Sequence, residues 1–466
     1  MASKSGWTMV LVEGPSTPNF ARQPWTSGMP VPSLAGPGWS SRPARVMVAH
    51  RAAMGSHPMN PATNLAVPED LGLGTARLSR VDAWRDALVA DGKVAGATTL
   101  VMRRGRVAHL GCSGFADRER GLAIAPDSIL RIYSMTKPLT SVAIMMLYEE
   151  GRFQLDDPVT RYLPCFRNMR VFTGGSRGSY ESVPAERDIT FRDLLTHTAG
   201  LTYGFMQATP LDAMYREQDV DFQTSDRSLE EVVETAASLP LLAQPGKAWN
   251  YSIATDVLGH LVAVISGQDF GTFMRQRVIG PLGMADTGFH VPEAALPRFA
   301  ACYARGQDGQ PALIDDPRHS RFAAPRRICS GGGGLVSTVG DYARFCRFLL
   351  NKGELEGTRL LGRKTVELMM SNHLDGDMAA MGQPRFSESS YTGIGFGLGF
   401  SVMLDPARAQ ILGTPGECAW GGAASTAFWV DPAEDMAVIL MTQLLPSSAY
   451  PLRRELRVLT YQAIIG

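Results

Sequence analysis

Lysine is scarce in this chain of 466 residues: it stands only at positions 4, 93, 137, 247, 352 and 364, although lysine and arginine together number 45. Long apolar runs are missing as well. Nothing approaches the roughly 20 consecutive apolar residues of a membrane span. The first residues hold only the stretch Met9-Val10-Leu11-Val12, shorter than the apolar core of about 7–15 residues in a secretion signal. A cytoplasmic protein with no membrane partner is therefore expected. The 45 basic residues are balanced by 45 acidic ones, and neither sign forms a block, which excludes the basic footprint of a nucleic-acid binder. The six cysteines, at 112, 165, 302, 329, 346 and 418, form no C-x-x-C, and the eight histidines form no H-E-x-x-H. Neither a metal nor another cofactor is expected, and the thiols are read as reduced. A G-x-S-x-G elbow is also absent: Gly111-Cys112-Ser113-Gly114-Phe115 lacks the last glycine, which argues against an α/β-hydrolase.

What is present divides along the chain. Over residues 1–75, prolines recur at 15, 18, 24, 30, 32, 37, 43, 58, 61 and 68 with no sustained apolar period. That composition predicts a flexible tail. Ser79 is placed to cap a helix over 80–90, and 97–102 with 106–110 reads as two strands joined by the Arg104-Gly105 turn. A long helix is expected over 134–150, ended by Gly151. The middle of the chain carries helical patterns at 190–196, 229–238, 255–265 and 270–278 with little alternation. Later, 341–350 reads as a helix capped by Ser337 or Thr338. Strands are expected over 395–403, 417–430 and 436–444, and an amphipathic helix over 452–465. Strands at both ends with helices between predict an α/β domain, residues 76–160 and 326–466, with a mostly helical domain inserted at 161–325.

The chemistry-bearing residues begin with Ser134-Met135-Thr136-Lys137. Three residues apart at a helix start, serine and lysine share one face about one turn from each other. Pro138 suits only the first turn, where backbone N–H groups lack partners. The helix dipole there favours negative charge on Ser134 and opposes positive charge on Lys137, and a neutral lysine can take the serine's proton. In a chain with so few lysines this S-x-x-K occurs once. A Pro-Gly turn then leads through Trp249-Asn250-Tyr251-Ser252 to another helix start, placing the Tyr251 phenol at a helix mouth, where it can relay a proton. On a late strand, Trp420-Gly421-Gly422-Ala423 lets the backbone approach a ligand closely. The N–H groups of Ala423 and Ser134 are candidates for an oxyanion hole. Taken singly, the tyrosine is more readily a packing residue and the paired glycines a bulge. His197, at a helix end, is read as structural.

In order and spacing, Ser134–Lys137, Tyr251-Ser252 and Trp420-Gly421-Gly422 resemble the serine β-lactamase superfamily. More specifically, they resemble the family VIII carboxylesterases, relatives of class C β-lactamases and DD-peptidases. The segments 194–201, 281–284 and the glycine run at 330–335 belong to the same resemblance, which covers about residues 78 to 466. It implies a β-lactamase-like α/β fold, an antiparallel sheet flanked by helices plus the inserted helical domain. It also implies a serine nucleophile at Ser134 acting with Lys137 and Tyr251. Penicillin-binding relatives carry K-T-G or K-S-G where this chain has Trp420-Gly421-Gly422. Without that lysine a neutral small-molecule ester is the expected substrate, with short acyl chains favoured by the resemblance. The aromatic and Met-containing loop 203–206, with Tyr203, and the strand 396–400, with Phe396, are expected to wall an apolar pocket.

Overall fold

Eight strands contributed by the two ends of the described chain form one sheet in which every neighbouring pair is antiparallel. The computed structural model describes residues 65–466 apart from 223–224, 383–384 and 387. In chain order the strands are β1 (Gly96–Arg103), β2 (Arg106–Asp117), β3 (Leu122–Ala123), β4 (Ile394–Phe396), β5 (Ser401–Met403), β6 (Cys418–Gly421), β7 (Ala427–Asp431) and β8 (Met436–Thr442). Across the sheet they run β4-β5-β6-β7-β8-β1-β2-β3. The first strand of the sheet therefore pairs with the last, from Ala97 opposite Thr442 to Arg103 opposite Met436.

The central strands read as apolar throughout because both faces of the sheet are covered. Val101, Trp429, Val438 and Leu440 share one core with Leu78, Val81 and Leu88 of helix α1 (Thr75–Ala90) and Leu452 and Leu456 of helix α5 (Leu452–Tyr461). The alternate residues Leu100, Met102, Phe428, Ile439 and Met441 join the main core. That core also takes in helix α2 (Thr136–Glu149), helix α3 (Ala254–Ser266) and helix α4 (Val339–Leu350). Helix α2 is buried from Thr136 to Leu147, so it is the central post against which both the sheet side and the helical side pack.

Several expected boundaries move. Of the tail expected over 1–75, positions 1–64 lie outside the described residues. Positions 65–75 are built into the fold: Ala66 N–H donates to Val107 O, and Leu71 and Leu73 are buried. Helix α1 begins a turn before Ser79, at Thr75, because Leu78 also has a core to fill. The strand expected over 417–430 is two strands, broken where Gly422 N–H bonds to Thr426 O and Ser425 takes a φ of 64°. The one expected over 395–403 is likewise a tight hairpin, β4 and β5. In the middle of the chain helices Phe191–Leu195, Pro210–Glu217, Leu229–Ala237 and α3 are joined by a hairpin, Arg170–Ser176 with Ser179–Pro184. A second hairpin pairs Cys302–Arg305 with Pro311–Asp315. The first escapes a reading by alternation because nearly all of its residues are exposed or half-exposed. Among the described residues no helix is long and apolar enough to cross a membrane, and the six cysteines are unpaired.

Candidate active site

Ser134 lies just ahead of α2, in the single 3-10 turn Tyr133–Met135, rather than in the helix itself. The turn is forced by Tyr133, whose φ of 43° is left-handed in a residue other than glycine. Such strain is held only where the surroundings over-determine it. Here Tyr342 O–H donates to Met135 O at 2.9 Å and Leu335 N–H donates to Thr136 Oγ1 at 3.1 Å, fixing the chain on either side of the serine. Lys137 follows in the first turn of α2 with its side chain buried.

The three residues singled out by spacing meet. Tyr251 O–H donates to Ser134 Oγ at 2.6 Å, and Lys137 Nζ donates to the same oxygen at 3.3 Å. The ammonium also lies 4.5 Å from the centre of the Tyr251 ring. Its other two partners are Gly332 O at 2.7 Å and the Tyr203 hydroxyl at 3.1 Å. The glycine run therefore has a direct role, which is to bring a backbone carbonyl onto the lysine. It can do so because a Cβ on Gly332 would stand 2.4 Å from Asp256 Oδ2.

Beneath the tyrosines lies His197, buried, with a ring centre 5.1 Å from that of Tyr251 and Nδ1 3.1 Å from Ser252 Oγ. Burial, with Lys137 adding to it, holds the imidazole well below its ordinary value, so His197 is a neutral packing partner of Tyr251. Burial likewise pushes the Tyr203 phenol well above its ordinary range, with Asp256 and Tyr251 acting in the same direction.

On the sheet side, β6 brings Trp420 against Tyr251, ring centres 5.5 Å apart, and edge-on to Phe396 at 5.3 Å. The indole N–H is buried without a hydrogen-bond partner among the described residues. Trp420 therefore presents carbon surface, not the donor that a free indole would offer. Gly422 packs so closely that a Cβ there would lie 2.4 Å from Ile132 O, which sets the β6–β7 turn carrying Ala423 beside the segment that enters Ser134. Arg453 of α5 supports that turn, donating to Gly422 O at 3.0 Å and Thr426 O at 3.2 Å, with Glu388 4.0 Å away.

A cleft of about 840 Å³ opens on Ser134, with Tyr203, Tyr251, Trp420, Gly421, Gly422 and Ala423 on its walls. Phe396 is not on its surface: it is fully buried behind Trp420, among His197 and Trp249. Its strand pairs inward because β4 is an edge covered by the residues around Asn372, whose Oδ1 accepts from Phe396 N–H. Phe205, in the aromatic loop 203–206 expected to wall the pocket, lines the cleft, and so does Phe222, which was not legible as a wall residue. Asp256, also at the cleft, sits in the first turn of α3. Its signal was available, a lone acid among Val257, Leu258, Leu261 and Val262 on an apolar helix. Among the described residues no group of three or more His, Cys, Asp or Glu is placed to hold a metal ion.

The chain's resemblances agree with this geometry. The family model described as Beta-lactamase matches residues 81–462. Protein Rv1367c of Mycobacterium tuberculosis is 36% identical over 361 residues, 76% of this chain and 87% of that protein. Esterase EstB of Burkholderia gladioli is 32% identical over 396 residues, 80% of this chain and 93% of the esterase. Among solved structures, EstCE1, described as a hydrolase with promiscuous acyltransferase activity, superposes with a TM-score of 0.70. It is 26% identical, over 84% of this chain and 99% of its own.

Proposed function

The chain belongs to the beta-lactamase family of serine hydrolases, and from that premise we propose that it is a family VIII-type carboxylesterase acting on neutral esters with short acyl chains, with Ser134 as nucleophile. The observation that carries the reading is the convergence of the Tyr251 phenol and the Lys137 amine on Ser134 Oγ, at 2.6 and 3.3 Å, at the floor of an open cleft. A serine is a weak nucleophile until a neighbouring base takes its proton. Here two groups stand within reach of it.

In the mechanism we propose, Ser134 Oγ attacks the ester carbonyl carbon as its proton passes to Lys137. The carbonyl oxygen, now negative, is received by the N–H groups of Ser134 and Ala423. When the tetrahedral adduct collapses, the bond to the alcohol oxygen breaks and Tyr251 delivers the proton to that oxygen, itself reprotonated from Lys137. Water then enters by the same route in reverse and releases the acid. Trp420 favours a neutral substrate because it turns carbon surface toward the cleft. Arg453, a cation on the cleft wall, already serves two carbonyls and faces Glu388. The volume of about 840 Å³ exceeds what a short acyl group needs and leaves room for a larger alcohol portion. That room, with the description of EstCE1, supports a second reading in which an alcohol replaces water as acceptor.

A fluorophosphonate probe followed by peptide mass mapping tests the nucleophile. Labelling is expected on Ser134, and Ser134→Ala is expected to abolish p-nitrophenyl butyrate hydrolysis in a folded protein. Near-normal activity in that variant would sink the assignment. Adding a primary alcohol and measuring the ratio of transferred to hydrolysed acyl group separates the two readings.

A further inference from the structure

Asp256 stands behind the lysine, and two donors converge on its buried carboxylate. Oδ1 accepts from Ser330 O–H at 2.6 Å and from Gly332 N–H at 2.9 Å. The same carboxylate helps to push the Tyr203 phenol up. Burial pushes Asp256 above the usual carboxylate value, while Lys137, Ser330 and Gly332 pull against that. Both donors point at Oδ1 and favour the ionised form.

One of those donors also holds Lys137. The Gly332 peptide gives its N–H to Asp256 and its C=O to Lys137 Nζ, at 2.9 and 2.7 Å. Nζ also donates to the Tyr203 hydroxyl, at 3.1 Å. Gly332 O has no proton to give, so Nζ must donate there, and with the tyrosine on a second position a tetrahedral nitrogen has one further position, which faces Ser134 Oγ at 3.3 Å. In the ammonium that position is the third N–H; in the neutral amine it is where the lone pair must lie to take the serine's proton. We infer that Asp256 is a positioning residue for the nucleophile, acting through the Gly332 peptide to hold the open valence of Lys137 on Ser134 and to neutralise the ammonium formed when the serine's proton arrives. This rests on the proposed role of Ser134 and Lys137 and adds to it a third layer that the S-x-x-K pattern does not contain.

The same arrangement accounts for the glycine run. A Cβ on Gly332 would meet Asp256 Oδ2 at 2.4 Å and the Tyr203 hydroxyl at 2.9 Å, and one on Gly331 would meet Thr255 O at 2.6 Å. The loop must be bare to lie this close to α3. It also gives Tyr203 a different role from the wall residue expected of it. The ring does line the cleft, stacked on Phe205 with centres 4.6 Å apart, but its hydroxyl faces inward to Lys137 and Asp256.

The charged and titratable groups around Lys137 are Tyr203, Tyr251, His197, Asp256 and, farther out, Asp221. Of these Asp256 supplies the buried negative charge in hydrogen-bonded relay with the lysine. Replacing it takes away the buried charge that favours transfer of the serine's proton toward the lysine.

The test uses the full chain and p-nitrophenyl butyrate, with kcat and KM measured across pH 5–10 for Asp256→Asn, Tyr203→Phe and the double variant. The expected result for Asp256→Asn is a fall in kcat of about 10- to 100-fold, in the range of lost orientation and proton transfer. KM should stay within about twofold, and the kcat–pH profile should shift. Tyr203→Phe keeps the ring and its stack on Phe205, so it carries the test if Asp256→Asn does not fold. It should lose kcat in the same way, and the double variant should lose no more than the worse single one, because both act through one amine. A folded Asp256→Asn with wild-type kcat and an unmoved pH profile, or single losses that multiply in the double variant, would overturn the inference. Failure of the underlying reading has a separate signature, activity in Ser134→Ala.

Discussion

Tyr251 O–H and Ser134 Oγ are 2.6 Å apart, closer than the 3.3 Å between Ser134 Oγ and Lys137 Nζ. A phenol this near the nucleophile is also near whatever leaves the tetrahedral adduct, since both oxygens hang from one carbon. Tyr251→Phe keeps the ring packed on Trp249, Tyr203 and Trp420 and removes only the proton carrier. We expect kcat on alkyl esters such as ethyl butyrate to fall by about 10²–10⁴. The loss on p-nitrophenyl butyrate should be smaller, because an activated phenolate leaves without being protonated. Equal losses on the two esters would place Tyr251 in serine activation alone.

Gly332→Ala tests the packing of the loop on α3. With Asp256 Oδ2 at 2.4 Å from the added carbon and the Tyr203 hydroxyl at 2.9 Å, the loop must lift and carry Gly332 O away from Lys137. Overpacking of this kind costs about 1–3 kcal/mol, so a lower melting temperature and a lower kcat should appear together. Gly178→Ala is the matching control: nothing lies within 4 Å of its Cβ, and its melting temperature should match that of wild type. A stable, fully active Gly332→Ala would show that the loop does not hold the lysine.

What the sequence disclosed about the site was the part built from local spacing. Ser134 and Lys137 are one turn apart, and Tyr251 and the β6 glycines sit at element ends, so each could be named without knowing what packs where. Asp256 could not be assigned a role in this way. Its importance comes from Gly332 and Ser330, more than seventy positions further on, folding back over α3, and no local period records such a return. Phe396 failed for the opposite reason: an aromatic on a late strand looks like a pocket wall until Trp420 is seen to stand in front of it. The fold class followed from strands at both ends of the chain. The break between β6 and β7 was hidden because Gly422-Ala423-Ala424-Ser425 reads as a continuation of two apolar strands. That break is what exposes the Ala423 peptide.

His197 gives a pH dependence whose sign is fixed by burial. The folded protein holds the imidazole neutral, well below its ordinary value, whereas the unfolded chain titrates near pH ~6.5. Above that pH neither state is protonated and the group is silent. Below it the unfolded chain gains a proton that the folded site refuses, so stability falls as pH drops, by up to about 1.4 kcal/mol per pH unit. His197→Asn tolerates the left-handed φ of 58° and keeps a polar atom for Ser252. It should be less stable than wild type at pH 7.5, because ring packing on Tyr251 is lost, yet decline less between pH 7.5 and 5.5. His109, His260 and His373, also held low by burial, are common to both proteins and drop out of the difference. Parallel declines in melting temperature would show that His197 takes up its proton in the folded state.

On the proposed reading, the selectivity of the site turns on Trp420. Its ring lies against Tyr251 and Phe396, and its N–H is buried without a partner among the described residues, so a substrate meets carbon where penicillin-binding relatives present a lysine. The carboxylate of a β-lactam would lose a charge-assisted contact worth about 1.5–3 kcal/mol while the acylating groups stay the same. We therefore expect kcat/KM on short p-nitrophenyl esters to exceed that on nitrocefin by about a hundredfold or more, roughly 2.7 kcal/mol of transition-state discrimination. The reactivity of an activated ester contributes to that gap, so the sharper comparison is between variants. Trp420→Phe keeps an apolar ring and should leave the ratio near its wild-type value. Trp420→Lys should narrow it, chiefly by raising nitrocefin turnover, provided the ammonium reaches the cleft and does not remain among Tyr251 and Phe396. Comparable wild-type efficiency on the ester and on nitrocefin would mean that the tryptophan does not set the choice of substrate, and the protein would then be better described as a β-lactamase.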